Sequence, residues 1–326
     1  MDLFDRDQFE RLVQTGPRLP WIENWLSSSV WSDQIFEKHT PVDYLLEGES
    51  IVNRFEELIA SAAPRIYDEL LDPPPQDRRL REFLTAAPNR RAAVVFDGLS
   101  IREMPMLRQL ARESGFAVRT QGFGRSAIPS ETLDFVDQAL RVGRVAPSQL
   151  PGRRELKEAR IVSRYLSAVT QRQTIEPTDD AILLWSAFPD VTYKDSGARF
   201  KEHFDVIRQQ LETAWQNTVQ TLPQDREILI TSDHGYLFLD AGLAFARKNT
   251  ELSALNDYFG SGRSHSTDDA PPPAHPDIVV VDRRRVAVIR GRVQTHARGA
   301  ASALLYRHGG LSLMEVLTPW LVLARP

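Results

Sequence analysis

Three apolar runs in this chain lead directly into acidic residues. VVFDG supplies Asp97, LLWSAFPD leads to Asp190, and LITSDHG supplies Asp233 and His234. If these runs are strands of an open parallel sheet, their carboxylates meet outside the carboxyl ends, where such sheets bind ligands. Several carboxylates at one edge repel one another unless a cation holds them. The chain has no Cys, so any cation rests on Asp, Glu, His, Ser or Thr, which means hard oxygen and imidazole ligation. Each piece also has an ordinary reading. Asp97 before a Gly suits a turn or cap, Asp233-His234-Gly235 suits a tight turn, and Ser130 and Thr132 in PSETLDF suit plain helix capping. His308 in His308-Gly309-Gly310 suits a loop.

The elements that must position these residues follow from hydrophobic patterning. AAVVF (92–96), FAVRTQ (116–121), AILLWSA (181–187) and EILITS (227–232) are short and uniformly apolar, which suits strands buried on both faces. Helical patterns lie between them: IREMPMLRQLARES, ETLDFVDQALRV, GRRELKEARIVSRYLSAVTQR and GARFKEHFDVIRQQLETAWQNTVQ. Alternating strand and helix predicts an α/β fold, a largely parallel sheet sandwiched by helices. DIVVVD (277–282) and RVAVIRG (285–291) predict a late hairpin at the sheet edge, and LSLMEVLTPWLVL a helix leading into a last strand. Residues 260–276, rich in Gly, Ser, Asp and Pro, read as a mobile surface loop.

Residues 1–90 read as an N-terminal helical appendage: DRDQFERLVQ, PWIENWLSS and ESIVNRFEELIASAAPRIYDELL are amphipathic segments broken by Pro. The run LDPPPQDRR is a stiff connection, so the expected division is 1–90 and 91–326. With 326 residues, 40 Lys+Arg and 44 Asp+Glu, the chain has a net charge of −4, which argues against a generic nucleic-acid coat. The acidic N-terminus and the lack of a long apolar run predict no signal peptide and no membrane span, hence a cytoplasmic protein.

The ordered set VVFDGLS (94–100), AIPSET (127–132), a strand ending at Asp190, LITSDHGYLF (229–238) and YRHGGLSLMEVLTPWL (306–321) resembles the PglZ domain of the alkaline phosphatase superfamily. The resemblance spans roughly residues 90–326. It implies an alkaline phosphatase-like fold and two divalent cations, typically zinc with manganese or magnesium as alternatives, at the sheet edge. By this resemblance Asp97, Asp233 and His234 hold one ion, while Asp190 and His308 hold the other. Thr132 of the Pro-Ser-x-Thr segment matches the metal-activated nucleophile, with Ser130 of the same turn as the fallback. Many members place a His or an acidic residue four positions after the ligand matched by Asp190; here that position is Lys194. Asp195 then substitutes with a one-residue shift, or one metal site is weakened or lost. His203 is a distant substitute, and His39, His265, His275 and His296 have no strong claim.

The resemblance implies a metal-dependent phosphohydrolase or phosphodiesterase acting on a nucleotide or nucleic-acid phosphoester, with a place in a bacterial anti-phage system of the BREX type. The alternative is a catalytically degenerate scaffold that binds protein partners of a defence or signalling complex, which Lys194 favours. Direct nucleic-acid binding through Arg78-Arg79, Arg90-Arg91 and Arg283-Arg284-Arg285 is the third and least favoured reading, because such clusters are usually solvated faces.

Overall fold

The computed structural model of the chain describes residues 17–86, 90–176, 181–195, 200–239, 242–294 and 306–325. Its helices, in order, are α1 Leu19–Trp25, α2 Asp33–Lys38, α3 Pro41–Ala62, α4 Ile66–Leu71, α5 Leu80–Thr85, α6 Met104–Glu113, α7 Thr132–Phe135, α8 Arg154–Glu158, α9 Asp190–Asp195, α10 Phe200–Asn217, α11 Asn249–Phe259 and α12 Leu313–Val316. The strands are β1 Arg91–Asp97, β2 Ala117–Arg125, β3 Ile161–Leu166, β4 Ala181–Pro189, β5 Glu227–Ser232, β6 Leu237–Phe238, β7 Ser264–Ser266, β8 Ile278–Val281, β9 Val286–Ile289, β10 Tyr306–Arg307 and β11 Leu317–Ala324. Internal packing divides the chain into two units, one of residues 1–73 with 237–316 and one of 74–236 with 317–326. The expected N-terminal segment DRDQFERLVQ lies outside the described residues. No helix among the described residues is long and apolar enough to cross a membrane.

The second unit holds the main sheet, in the order β2-β11-β5-β1-β4-β3. Strands β5, β1, β4 and β3 pair in parallel, and β11 runs antiparallel to both of its neighbours. The expected largely parallel α/β sheet is therefore present. Its central strands are buried along nearly their whole length, because both faces are covered. Ala93, Val95, Leu183, Trp185 and Leu229 point to one face and join Leu80, Phe83 and Leu84 of α5 with Phe135 of α7 and with Val136 and Leu140 just beyond it. Their sequence neighbours Val94, Phe96, Ile182, Leu184, Ile228 and Ile230 point the other way and are equally buried. Each Val, Leu, Ile and Phe among them contributes about 1.5–3 kcal/mol, which fixes the strand register firmly.

Four local expectations are corrected. The segment read as one helix, GRRELKEARIVSRYLSAVTQR, forms the short α8 and then strand β3. Arg160 adopts φ 56°, a left-handed turn that ends the helix, and IVSRYL then serves as an edge strand with partly exposed positions. Strand β2 lies at the opposite edge and is largely exposed over 118–121, so it is not buried on both faces. The late hairpin forms, with β8 and β9 antiparallel, but in a separate sheet of order β7-β9-β8. Part of the segment read as a loop supplies β7, which pairs with β9.

The first unit packs α1, α3 and α4 through aromatic contacts such as Trp25 on Phe55, 4.7 Å between ring centres. Thr40 caps α3 by accepting from the Asp43 N–H, and Pro41 fills its first turn. Charged groups are also buried here. Glu49 pairs with Arg292, and Arg263 pairs with Glu315 at 2.7 Å. Glu315 accepts the Gly310 N–H at 2.9 Å, and a side chain at Gly310 would meet Ile289 O and Arg263 within 2.8 Å. Much of the HGGLSLMEV segment is thereby accounted for by folding alone.

Candidate metal centre

Strand register brings the three acidic strand ends together. β1 lies between β5 and β4, with Phe96 opposite Ser232 and Asp97 opposite Pro189. Asp97 therefore ends beside Asp233 on one side and Asp190 on the other. Gly98 makes this closeness possible: it has φ +75°, and a methyl group there would lie 3.3 Å from both Asp190 Cβ and His234 Cε1. All four ligand candidates of this edge are buried.

Asp97, Asp233 and His234 each have one atom tied back and another presented. Asp97 Oδ2 accepts the Trp185 indole N–H at 3.3 Å, and Asp233 Oδ1 accepts the Gly98 N–H at 3.0 Å. The other two oxygens, Asp97 Oδ1 and Asp233 Oδ2, are buried and accept no hydrogen bond. Each lies 3.6 Å from His234 Nε2, too long for a hydrogen bond. His234 Nδ1–H donates to Gly235 O at 2.9 Å, which directs Nε2 toward the carboxylates.

These residues fit a divalent cation. Ligand atoms about 2.1 Å from a tetrahedral ion stand about 3.4 Å apart, close to the separations observed. A single buried oxygen without a hydrogen bond also occurs at Glu56, so what points to an ion is the approach of two such oxygens to one imidazole nitrogen. One ligand atom from each of Asp97, Asp233 and His234 lies within 4.8 Å of the others.

The electrostatics lead to the same place. Burial, then the neighbouring Asp233, pushes the Asp97 carboxyl well above its usual range, with His234 opposing. Burial works against charge on His234, yet Asp233, Asp97 and Asp190 outweigh it and lift the imidazole to about 9. Asp97 is raised by burial and its acidic neighbours, and His234 by their attraction, as expected of a carboxylate cluster short of positive charge.

Thr132 opens α7, is half-buried, and places Oγ1 3.4 Å from His234 Nε2. Ser130 is completely buried. Thr132 is thus the hydroxyl brought to the cluster. His308 belongs to the first unit, half-buried just after β10. Lys194 and Asp195 fall at the end of α9, and their side chains, like that of His203, lie outside the described residues, as does His296. Elsewhere His39 meets Glu47 at 3.2 Å, the His265 ring lies tilted against Tyr258, and the His275 ring nitrogen accepts the Asp277 N–H. Several arginines of the three basic clusters are engaged structurally: Arg78 with Phe123 O, Arg79 with Pro74 O, Arg90 with Asp225, Arg91 with Glu227, Arg283 with Leu71 O and Arg285 with Asp268.

Sequence reasoning overlooked the residues behind the ligands. Trp185 reads as core in an apolar run, and Gly98 as half of a turn. Behind the DHGY loop, Arg102 donates to Tyr236 O at 2.9 Å, while the Tyr236 hydroxyl donates to Glu103 at 2.9 Å. A Tyr two residues beyond a candidate His was the one available signal for that tie.

Among solved structures the chain is similar to murine ectonucleotide pyrophosphatase/phosphodiesterase 5, at 13% identity and a TM-score of 0.44, covering 73% of this chain and 88% of that one. An inactive variant of that protein in complex with AMP gives 13% and 0.43, covering 72% and 88%. The human protein of the same name gives 13% and 0.42, covering 72% and 87%. No family model matches the chain, and no curated protein matches it significantly.

Proposed function

We propose that the chain is a metal-dependent phosphohydrolase or phosphodiesterase of the PglZ type, acting on a nucleotide or nucleic-acid phosphoester. The observation that carries this reading is the convergence of two buried carboxylate oxygens without hydrogen-bond partners, Asp97 Oδ1 and Asp233 Oδ2, on His234 Nε2, with the Thr132 hydroxyl beside them. A divalent cation, when bound, supplies Lewis acidity that lowers the pKa of a hydroxyl and balances charge on phosphoryl oxygens. Asp97, Asp233 and His234 would hold one ion. Asp190 is poised beside them, and with His308, and Asp195 in place of the residue that Lys194 occupies, it would serve a second. Those last two assignments rest on the sequence resemblance.

In this scheme Thr132 Oγ1 attacks phosphorus as the ester oxygen leaves, and water then hydrolyses the phosphothreonine. Ser130, completely buried in the same turn, is the fallback nucleophile should Thr132→Ala keep its turnover. Zinc is the expected metal, and a role in a BREX-type defence system is the expected setting. The test is hydrolysis of bis-p-nitrophenyl phosphate by the purified chain with zinc or manganese. The expected result is metal-dependent turnover that disappears in Thr132→Ala while bound metal is retained. Failure to bind metal together with no turnover would overturn the reading in favour of a partner-binding scaffold.

A further inference from the structure

Trp185 is the bulkiest side chain on the strand next to Asp97, and it is completely buried. Its place in the core could be filled by Phe or Leu without a polar atom to satisfy. A buried indole needs an acceptor for its N–H, and this one uses Asp97 Oδ2. The other Asp97 oxygen is the one that faces His234 Nε2. The Trp185 ring also packs edge-on against Phe135, 6.2 Å between ring centres, and Phe135 lies on the same short helix as Thr132. One side chain thus touches both the carboxylate of the candidate centre and the helix carrying the candidate nucleophile.

We propose that Trp185 is a positioning residue of the metal centre, restricting Asp97 to ligation through Oδ1 and setting the Thr132 helix against that carboxylate. This rests on the metal-centre reading above. The Gly98 N–H does the same for Asp233, but it is a backbone group that mutation cannot delete cleanly; Trp185 is the side chain through which the effect can be tested. Groups that orient a ligand in this way typically change metal affinity by about 10–100-fold when removed.

The experiment is a zinc titration of the full metal-free chain, comparing the parent with Trp185→Phe, Asp97→Ala and the double variant. The expected result is zinc affinity about 10–100-fold weaker in Trp185→Phe, and no further loss when Trp185→Phe is added to Asp97→Ala. Parent-like affinity in Trp185→Phe, or losses that simply add, would overturn the role of Trp185 and leave the centre standing. A parent that binds no zinc would overturn the centre and Trp185 together. Should Trp185→Phe fail to fold, the parent labelled with 15N at its six Trp indoles answers the question. One indole N–H resonance is expected to shift on zinc saturation, and no shift in any of the six would overturn the proposal.

Discussion

In the first unit the buried carboxylates of Glu49 and Glu315 each meet a guanidinium, from Arg292 and Arg263. At the sheet edge of the second unit, the buried carboxylates of Asp97 and Asp233 share a single imidazole, and each keeps one oxygen without a hydrogen bond. The chemistry of the side chains is the same in both places. What differs is whether the fold supplies the compensating charge. A carboxylate paired with arginine has its charge balanced within the chain and serves folding, whereas two carboxylates that turn unmatched oxygens onto one imidazole nitrogen form a place for a cation from solution. Buried acidity alone is therefore a poor sign of function, and the missing partner is the informative part.

This contrast can be broken most forcefully from the arginine side. Arg292→Met leaves Glu49 buried without its guanidinium, and urea unfolding should show a loss of about 3–5 kcal/mol. A loss below about 1 kcal/mol would mean that the pair does not compensate the buried charge. The next effect concerns pH. Glu56, buried in the same unit, accepts the Leu313 N–H at 2.8 Å, and burial lifts its carboxyl to about 7 against the attraction of Arg292. Burial lifts Glu103 to about 7 as well. Since the folded value exceeds the unfolded one, the native state holds the extra proton. This contribution is complete below about pH 4.5 and is lost as pH rises through 7, at most about 3 kcal/mol for each group. Thermal unfolding from pH 4.5 to 8 should show the decline, and Glu56→Gln should flatten it; an unchanged slope in that variant would move the titration elsewhere.

At the sheet edge the expected sign reverses. Asp97→Asn or Asp233→Asn removes an unmatched charge, so the metal-free variants should melt no lower than the parent. They should, however, lose the stabilisation that metal confers, about 2.7 kcal/mol at a hundredfold excess over Kd. Melting curves with and without zinc check both halves, and a metal-free variant that melts well below the parent would place these carboxylates with the structural ones. The smallest effect is expected at Gly98. Gly98→Ala carries a strain of about 1 kcal/mol from its positive φ and presses on Asp190 and His234, so metal affinity should fall more than stability.

The strands β1, β4 and β5 were legible because burial on both faces leaves uniformly apolar runs, and the carboxylates that follow them were legible because a parallel sheet gathers its strand ends at one edge. Edge strands were harder. IVSRYL keeps polar residues that read as helical until Arg160 turns left-handed, and the β8–β9 hairpin gives no sign in its sequence that it builds a sheet of its own. The ligand candidates were visible as acidic residues after strands, but Trp185 was not, because an indole in an apolar strand looks like core. Its N–H matters only once the register sets it opposite Asp97. The HGGLSLMEV segment taught the reverse lesson, since Gly310 and Glu315 serve the Arg263 pair.

The central claim is that Asp97, Asp233 and His234 form a cation site. It is tested most directly by a crystal structure of the chain soaked with zinc and a phosphate analogue, with anomalous scattering locating the metal. An ion is expected within about 2.0–2.2 Å of Asp97 Oδ1, Asp233 Oδ2 and His234 Nε2. Zinc bound elsewhere, or no zinc at this edge while His234 keeps its proton between the two carboxylates, would contradict it.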